Sequence, residues 1–303
     1  MLAYFMQNSM AAKRNLVQSN IISASRSRSK PGAGNLDVSG TLKTGLSPTH
    51  IWWWLKHILG APTTTGASAP YTHTYRPGAL PVGFIVENDW IHAGISSKVE
   101  QFLGCRINDA TFDFPQEGEA TLTCSVNGAK YTIASAPLDA SLNDPGHVGW
   151  FAPDVTVNIA GASSLKVKSA SFKISSNLET DRYCLGTGGE RVDMPEGFAD
   201  VTGSISAIFD TASFTDYIDK AIARTDTTLE IICTSGSGTG ASAGNEKLSL
   251  KLDHALISMP DKTIESPGGL LINVEFSAFK SGGTDKGLVA VLLSPIATAT
   301  ITA

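Results

Sequence analysis

The chain has 303 residues, 42% of them hydrophobic and 17% charged, with 29 Gly, 14 Pro and a net charge of −5. That balance supports a packed core with many turns. It excludes a long coiled coil, and with no run of about 18 apolar residues it excludes a membrane-spanning helix.

The charge is uneven along the chain. The first 36 residues carry Lys13, Arg14, Arg26, Arg28 and Lys30 and no acid, which leaves 18 basic against 28 acidic residues, a net −10, in the rest. An acidic body does not suit a protein that grips nucleic acid, which needs clustered Lys and Arg. It suits one that lets nucleic acid slide past. The apolar stretch Met1–Met10 precedes Lys13 and Arg14, the reverse of the order in a secretory signal.

From Asn15-Leu16 the basic stretch Arg26-Ser27-Arg28-Ser29-Lys30 predicts a long loop, and Asp37-Val38-Ser39-Gly40-Thr41-Leu42 a strand. Ser47 is a good helix cap and Pro48 suits a first helical position, where its missing N–H costs nothing. Ile51, Trp54, Leu55, Ile58 and Leu59 then form an amphipathic stripe, so a helix is predicted over 48–59, closed by Gly60. Trp52 and Trp53 lie off the stripe. They are candidates for a protein interface, where Trp is enriched; packing beneath the loop 61–70 is the alternative. Tyr71–Tyr75 alternates ahead of a strand near 83–87, and His73 within it reads as a structural or exposed residue. Further on, Ala120, Leu122, Cys124 and Val126 alternate as in a half-buried strand.

The second part of the chain repeats the first. Asp200-Val201-Thr202-Gly203-Ser204-Ile205 matches 37–42 at an offset of 163, and Phe214, Tyr217, Ile218, Ala221 and Ile222 reproduce the helix stripe at that offset, predicting a second helix over 211–224. Asn177-Leu178 matches Asn15-Leu16, so the basic loop corresponds to the segment around 186–192. Leu250–Ala255 aligns with Cys105–Ala110 at an offset of 145, and Leu270, Ile272, Val274 and Phe276 match Ala120–Val126. The Gly-rich stretch Gly236–Gly244 reads as a hairpin tip between strands. The expected fold is mainly β: two tandem copies, residues 1–163 and 164–303, of a small antiparallel sandwich or barrel, each with one flanking helix.

Little in the sequence points to chemistry. Cys105, Cys124, Cys184 and Cys233 are widely spaced and read as reduced thiols, with neither a disulfide framework nor zinc-ligand spacing. Gly236-Ser237-Gly238-Thr239-Gly240 runs toward a strand, whereas a phosphate loop needs a following helix. The six histidines form no metal motif and there is no GxSxG elbow. Glu117 and Glu119 fall in a turn; paired carboxylates of a carbohydrate hydrolase meet only in three dimensions and are not singled out. No catalytic residue, metal or cofactor is expected.

Several of these segments resemble the tail tube proteins of long-tailed bacteriophages: Asp-Val-Ser/Thr-Gly before a capped helix, His73-Thr74-Tyr75-Arg76-Pro77 before Phe84–Glu87, and Ser169–Leu178 followed by Pro195-Glu196-Gly197 and 200–205. The resemblance spans about residues 15–295. It implies a non-enzymatic virion protein with tail-tube-like sandwich domains, assembled in the bacterial host cytoplasm. It implies a homo-oligomer of stacked rings, trimeric with pseudo-sixfold symmetry for a duplicated chain. The partners it implies are a tape measure protein and the tail terminator and distal tail proteins, with no membrane, and double-stranded DNA passing through the lumen without specific binding. Arg26, Arg28 and Lys30, with Trp52 and Trp53, are the candidate subunit or ring interface. The alternatives are a baseplate or tail-tip β-domain protein, a secretion-system tube protein, and a β-sandwich carbohydrate hydrolase.

Overall fold

Alternation builds the strands: Leu122, Cys124 and Val126 are buried between half-exposed Thr121, Thr123, Ser125 and Asn127, and Leu229, Ile231 and Cys233 alternate in the same way. The computed structural model describes residues 4–22, 27–90, 93–95, 98–142, 144–163, 166–211, 214–260, 271–282 and 287–297. The described part is mainly β and the strands pair antiparallel.

In chain order the first half holds β1 (Gln7–Asn8), β2 (Ala11–Val17), β3 (Gly32–Gly45), helix α1 (Ile51–Leu59), β4 (Thr63–Thr65), β5 (Tyr71–Tyr75), β6 (Phe84–Asp89), β7 (Val99–Phe114), β8 (Thr121–Gly128) and β9 (Lys130–Ala134). β10 (Val155–Ile159) and β11 (Ala162–Ser163) come just before the expected join, and the second half holds β12 (Val167–Ser175), β13 (Asp200–Ile208), a π-helical turn (Phe214–Asp219) running into α2 (Lys220–Ala223), β14 (Thr227–Thr234), β15 (Lys247–Ile257), β16 (Leu271–Ala278) and β17 (Leu288–Ser294).

The two halves pair their strands in the same pattern. β2 pairs β3, β3 pairs β8 and β8 pairs β7; likewise β12 pairs β13, β13 pairs β16 and β16 pairs β15. The other end of β7 lies between β6 and β9, and the other end of β15 between β14 and β17. Each long strand thus serves two sets of neighbours. β7 turns from one to the other at Gly104, whose φ of +64° suits glycine and whose missing Cβ leaves room for the Ala129 methyl.

The registers correct one sequence alignment. Cys105 faces Phe84 and, past a bulge, Phe102 faces Val86; Ala255 faces Thr227 and, past the same bulge, Leu252 faces Leu229. Ile107 faces Val126 as Ile257 faces Phe276. Cys105 therefore corresponds to Ala255, at an offset of 150, and not to Leu250 at 145. His254, placed opposite Asp109 by the sequence alignment, takes the position of Gly104 instead.

Both helices depart from expectation in detail. α1 is assigned from Ile51, after a lead-in turn in which the Ser47 carbonyl accepts the Ile51 N–H at 3.0 Å and the Ser47 hydroxyl accepts the Thr49 N–H. Its stripe is buried as predicted. In the second helix Tyr217 and Ile218 are buried, but Phe214 is 40% and Ile222 63% exposed. The π-type hydrogen bonding adds a residue to the turn and rotates the stripe out of phase. Strand pairing also crosses the expected join: β10 pairs β14, and β5 pairs β17. One hydrophobic core runs through both halves. Between β14 and β15, Gly236–Gly244 forms the expected hairpin tip.

Candidate assembly surface

The halves meet edge to edge, and that junction shows what this sheet needs at its edges. The outer part of β7 lies between β8 and β12, with Phe114 opposite Ala170 and Asp109 opposite Ser175. On one face Phe112 meets Phe172 edge-on, ring centroids 6.3 Å apart. On the other, the Ser175 hydroxyl donates to Asp109 Oδ1 at 2.7 Å, Lys173 Nζ lies 3.1 Å from the same oxygen, and the Ser171 hydroxyl donates to Asp113 at 2.9 Å. Burial pulls the Asp109 carboxyl up, but the bonds from Ser175, Lys173 and Asn108 outweigh it and hold the group below the usual carboxylate range.

Beyond β12 the loop 178–199 folds back over the first half. The Gly189 carbonyl accepts the Leu36 N–H at 2.7 Å, and the Tyr183 hydroxyl donates to the Leu36 carbonyl at 3.1 Å. A Cβ on Gly189, at φ +81°, would sit 3.1 Å from the Gly34 carbonyl, so the close approach depends on glycine there. Arg191 is the buried centre of the contact, 6% exposed. Its guanidinium donates to the carbonyls of Val38 (3.1 Å) and Gly128 (2.8 Å) and to Asp37, and Tyr183 stacks on it at 5.3 Å. All these acceptors lie at the far end of the first-half sheet, so a planar, multi-donor cation closes that end.

Three acids of this loop are already paired across it or with the first half. Glu190 meets Lys130 at 3.0 Å, Asp193 meets Arg182 at 2.9 Å, and Glu196 meets Arg106 at 2.9 Å. Burial raises the Glu196 carboxyl, while hydrogen bonds from its own and the Leu80 N–H, together with Arg106, lower it further and leave it depressed. Nothing in the sequence alignment singled out Arg191. The signal was present: an arginine nine residues before the Asp of Asp-Val-Ser/Thr-Gly, as Arg191 before Asp200 and as Arg28 before Asp37.

The other predicted interface residues are scattered. Arg26 lies outside the described residues, and Arg28 and Lys30 are exposed. Trp52 is 9% exposed and spends its Nε1–H on the Thr49 carbonyl at 3.0 Å. Trp53 is half-buried, edge-on to Trp54 at 4.9 Å and to Phe84 at 5.1 Å. It lines an apolar groove of about 420 Å³ with Phe5, Ile85, Leu138 and Leu142. Among the described residues, no contact joins the tryptophans to Arg28 or Lys30.

One titratable cluster went unnoticed in the sequence. At the start of α1, His50 Nε2 is 3.2 Å from His147 Nδ1, and His147 Nε2 is 2.6 Å from Glu119. The Tyr4 ring stacks against His50 and its hydroxyl donates to Asp144. Burial, with His147 alongside, holds the His50 imidazole down at about 4. His73 is fully buried on β5 between Thr64 and the Ile296 carbonyl, a structural arrangement. Burial raises the thiols of Cys105, Cys124 and Cys233, which keeps them protonated and inert. Among the described residues no group of three or more His, Cys, Asp and Glu could hold a metal ion, and no helix is long and apolar enough to cross a membrane.

A family model described as phage tail tube protein matches residues 3–278 of the chain. No curated protein matches it.

Proposed function

The chain belongs to the phage tail tube protein family and is a structural protein of a virion tail that assembles with other tail proteins into a multimeric tube; from that premise we propose that three copies close into a ring with pseudo-sixfold symmetry. Rings then stack around a tape measure protein between the tail terminator and distal tail proteins, and the finished tube conducts DNA. The observation that carries this reading is the strand order β2–β3–β8–β7–β12–β13–β16–β15, in which the first four strands and the last four pair in the same pattern and join edge to edge. A chain that is two like units in a row, each able to add to the next, extends by the same step. A head-to-tail contact of this kind closes into a ring when its rotation is right, and closure removes open strand edges.

Eight strands from each of three chains give 24 around the bore. At a spacing of about 4.8 Å per strand they enclose a circle at least about 37 Å across before tilt widens it, wider than a B-form duplex. The net −10 outside the first 36 residues opposes sticking of phosphates to such a lining. Trp53 contributes through the groove it lines, and Trp52 only as packing behind it, to contacts between subunits or rings. Arg28 and Lys30 contribute as accessible charges, and Arg26 belongs to the same basic stretch. Native mass spectrometry and negative-stain microscopy of the purified chain test the reading: rings of three chains, or tubes built from them, are expected. Rings of six chains, or a chain that stays monomeric at high concentration, overturn it.

A further inference from the structure

The second half carries at its β12 edge what the first half lacks at β2. Lys13 of β2 faces Asp37 as Ser175 of β12 faces Asp200. The other edge of β12 is covered by β7; among the described residues no strand covers the other edge of β2. Side-chain burial tracks the difference. Leu178 is 8% exposed, whereas Leu16, its counterpart, is 71% exposed. Arg191 is buried on Asp37, whereas Arg28, likewise nine residues before its Asp, stands in solvent. The complementary features lie on the second half. Asp200 is exposed, paired with Asn177 and with no cation among the described ion pairs. Met259, which takes the position of Asp109 when Ile257 takes that of Ile107, is 56% exposed.

We propose that a second copy of this chain docks here by repeating the internal junction. The β2 edge of one copy receives residues 258–260, which follow β15 in its neighbour, with Lys13 opposite Met259. The arm before β3 reaches over the neighbour's second half and sets the Arg28 guanidinium on Asp200 and on the carbonyls of Val201 and Ala278, the counterparts of Asp37, Val38 and Gly128. The inference rests on the ring reading above and specifies which residues make its contact. A planar guanidinium donating to a carboxylate and two carbonyls fixes register as well as adding affinity, and a mismatched copy leaves those carbonyls without a donor.

Charge reversal tests it. Arg28→Asp and Asp200→Arg should each raise the concentration at which rings form about tenfold or more, and the double variant should recover much of the loss. In a Cys184→Ser background, Lys13→Cys with Met259→Cys should give disulfide-linked chains on a non-reducing gel. Asp109→Cys with Ser175→Cys should close within one chain and serves as the control. Should a charge reversal unfold the chain, the cross-link alone decides. If wild-type rings of three form but neither charge reversal weakens them and no interchain cross-link appears, this contact is wrong and the ring reading stands. If the wild type forms no ring, the ring reading fails and the contact with it.

Discussion

The two halves of the molecule use one strand pattern with different completeness. In the second half the edge strand β12 is covered, its following loop is pinned by Arg191, and Leu178 is buried; in the first, β2 has its matching side chains Leu16 and Arg28 in solvent. The difference shows that burial here is set less by residue type than by whether a partner strand is present. It reverses at the helices. α1 in the first half is a regular helix with its stripe buried, while the second-half helix is π-distorted and leaves Phe214 and Ile222 exposed.

The largest expected effect separates the helices. Leu55→Ala should cost about 2–5 kcal/mol in unfolding free energy, because a fully buried side chain leaves a cavity. Phe214→Ala, at the stripe position that corresponds to Ile51, should cost about 1 kcal/mol or less, since its side chain is 40% exposed. Equal losses in chemical denaturation would show that the π turn does not loosen the second helix.

The next concerns the arginines. Arg191→Ala should cost the isolated chain about 2–4 kcal/mol, since the Val38 and Gly128 carbonyls lose a buried donor. Arg28→Ala should stay within about 0.5 kcal/mol in the same measurement. If Arg28→Ala destabilises the monomer as much as Arg191→Ala, the first-half arm is already seated within its own chain.

Acid sensitivity should fall on the first half, where burial depresses His50 and His57 at the first helix. The folded-state value of His50, about 4, lies below the ordinary 6.5, so the unfolded chain binds more protons between these values. The stabilisation is complete above about pH 6.5 and is lost as pH falls toward 4, on the order of 3 kcal/mol in all. In His50→Gln the slope of stability against pH across this window should shrink; an unchanged slope would place the titration elsewhere.

The smallest effect is at the loop rim. Lys130 and Glu190 are partly exposed, so Lys130→Ala should cost only about 0–1 kcal/mol, and less in high salt. A larger or salt-independent loss would mean that the rim, and not Arg191, holds the loop on the first half.

The sequence determined much of the local structure. Alternation marked β8 and β16, the stripe marked α1, and the matching Asp-Val-Ser/Thr-Gly segments fell on β3 and β13, which hold equivalent places in the ladder. These features depend on residues close together in the chain. The tertiary structure decided the rest. In β7 the buried residues fall at 99, 101, 102, 105, 107, 110, 112 and 114, because bulges interrupt the alternation. A slip of five residues maps one bulge onto the other and keeps apolar matched to apolar, so sequence could not separate an offset of 145 from 150; only cross-strand partners fix it. The burial of Trp52, the π turn and the insertion of Arg191 likewise depend on what the fold brings alongside. An arginine on a loop reads as solvated until Val38, Gly128 and Asp37, distant in sequence, present their oxygens to it.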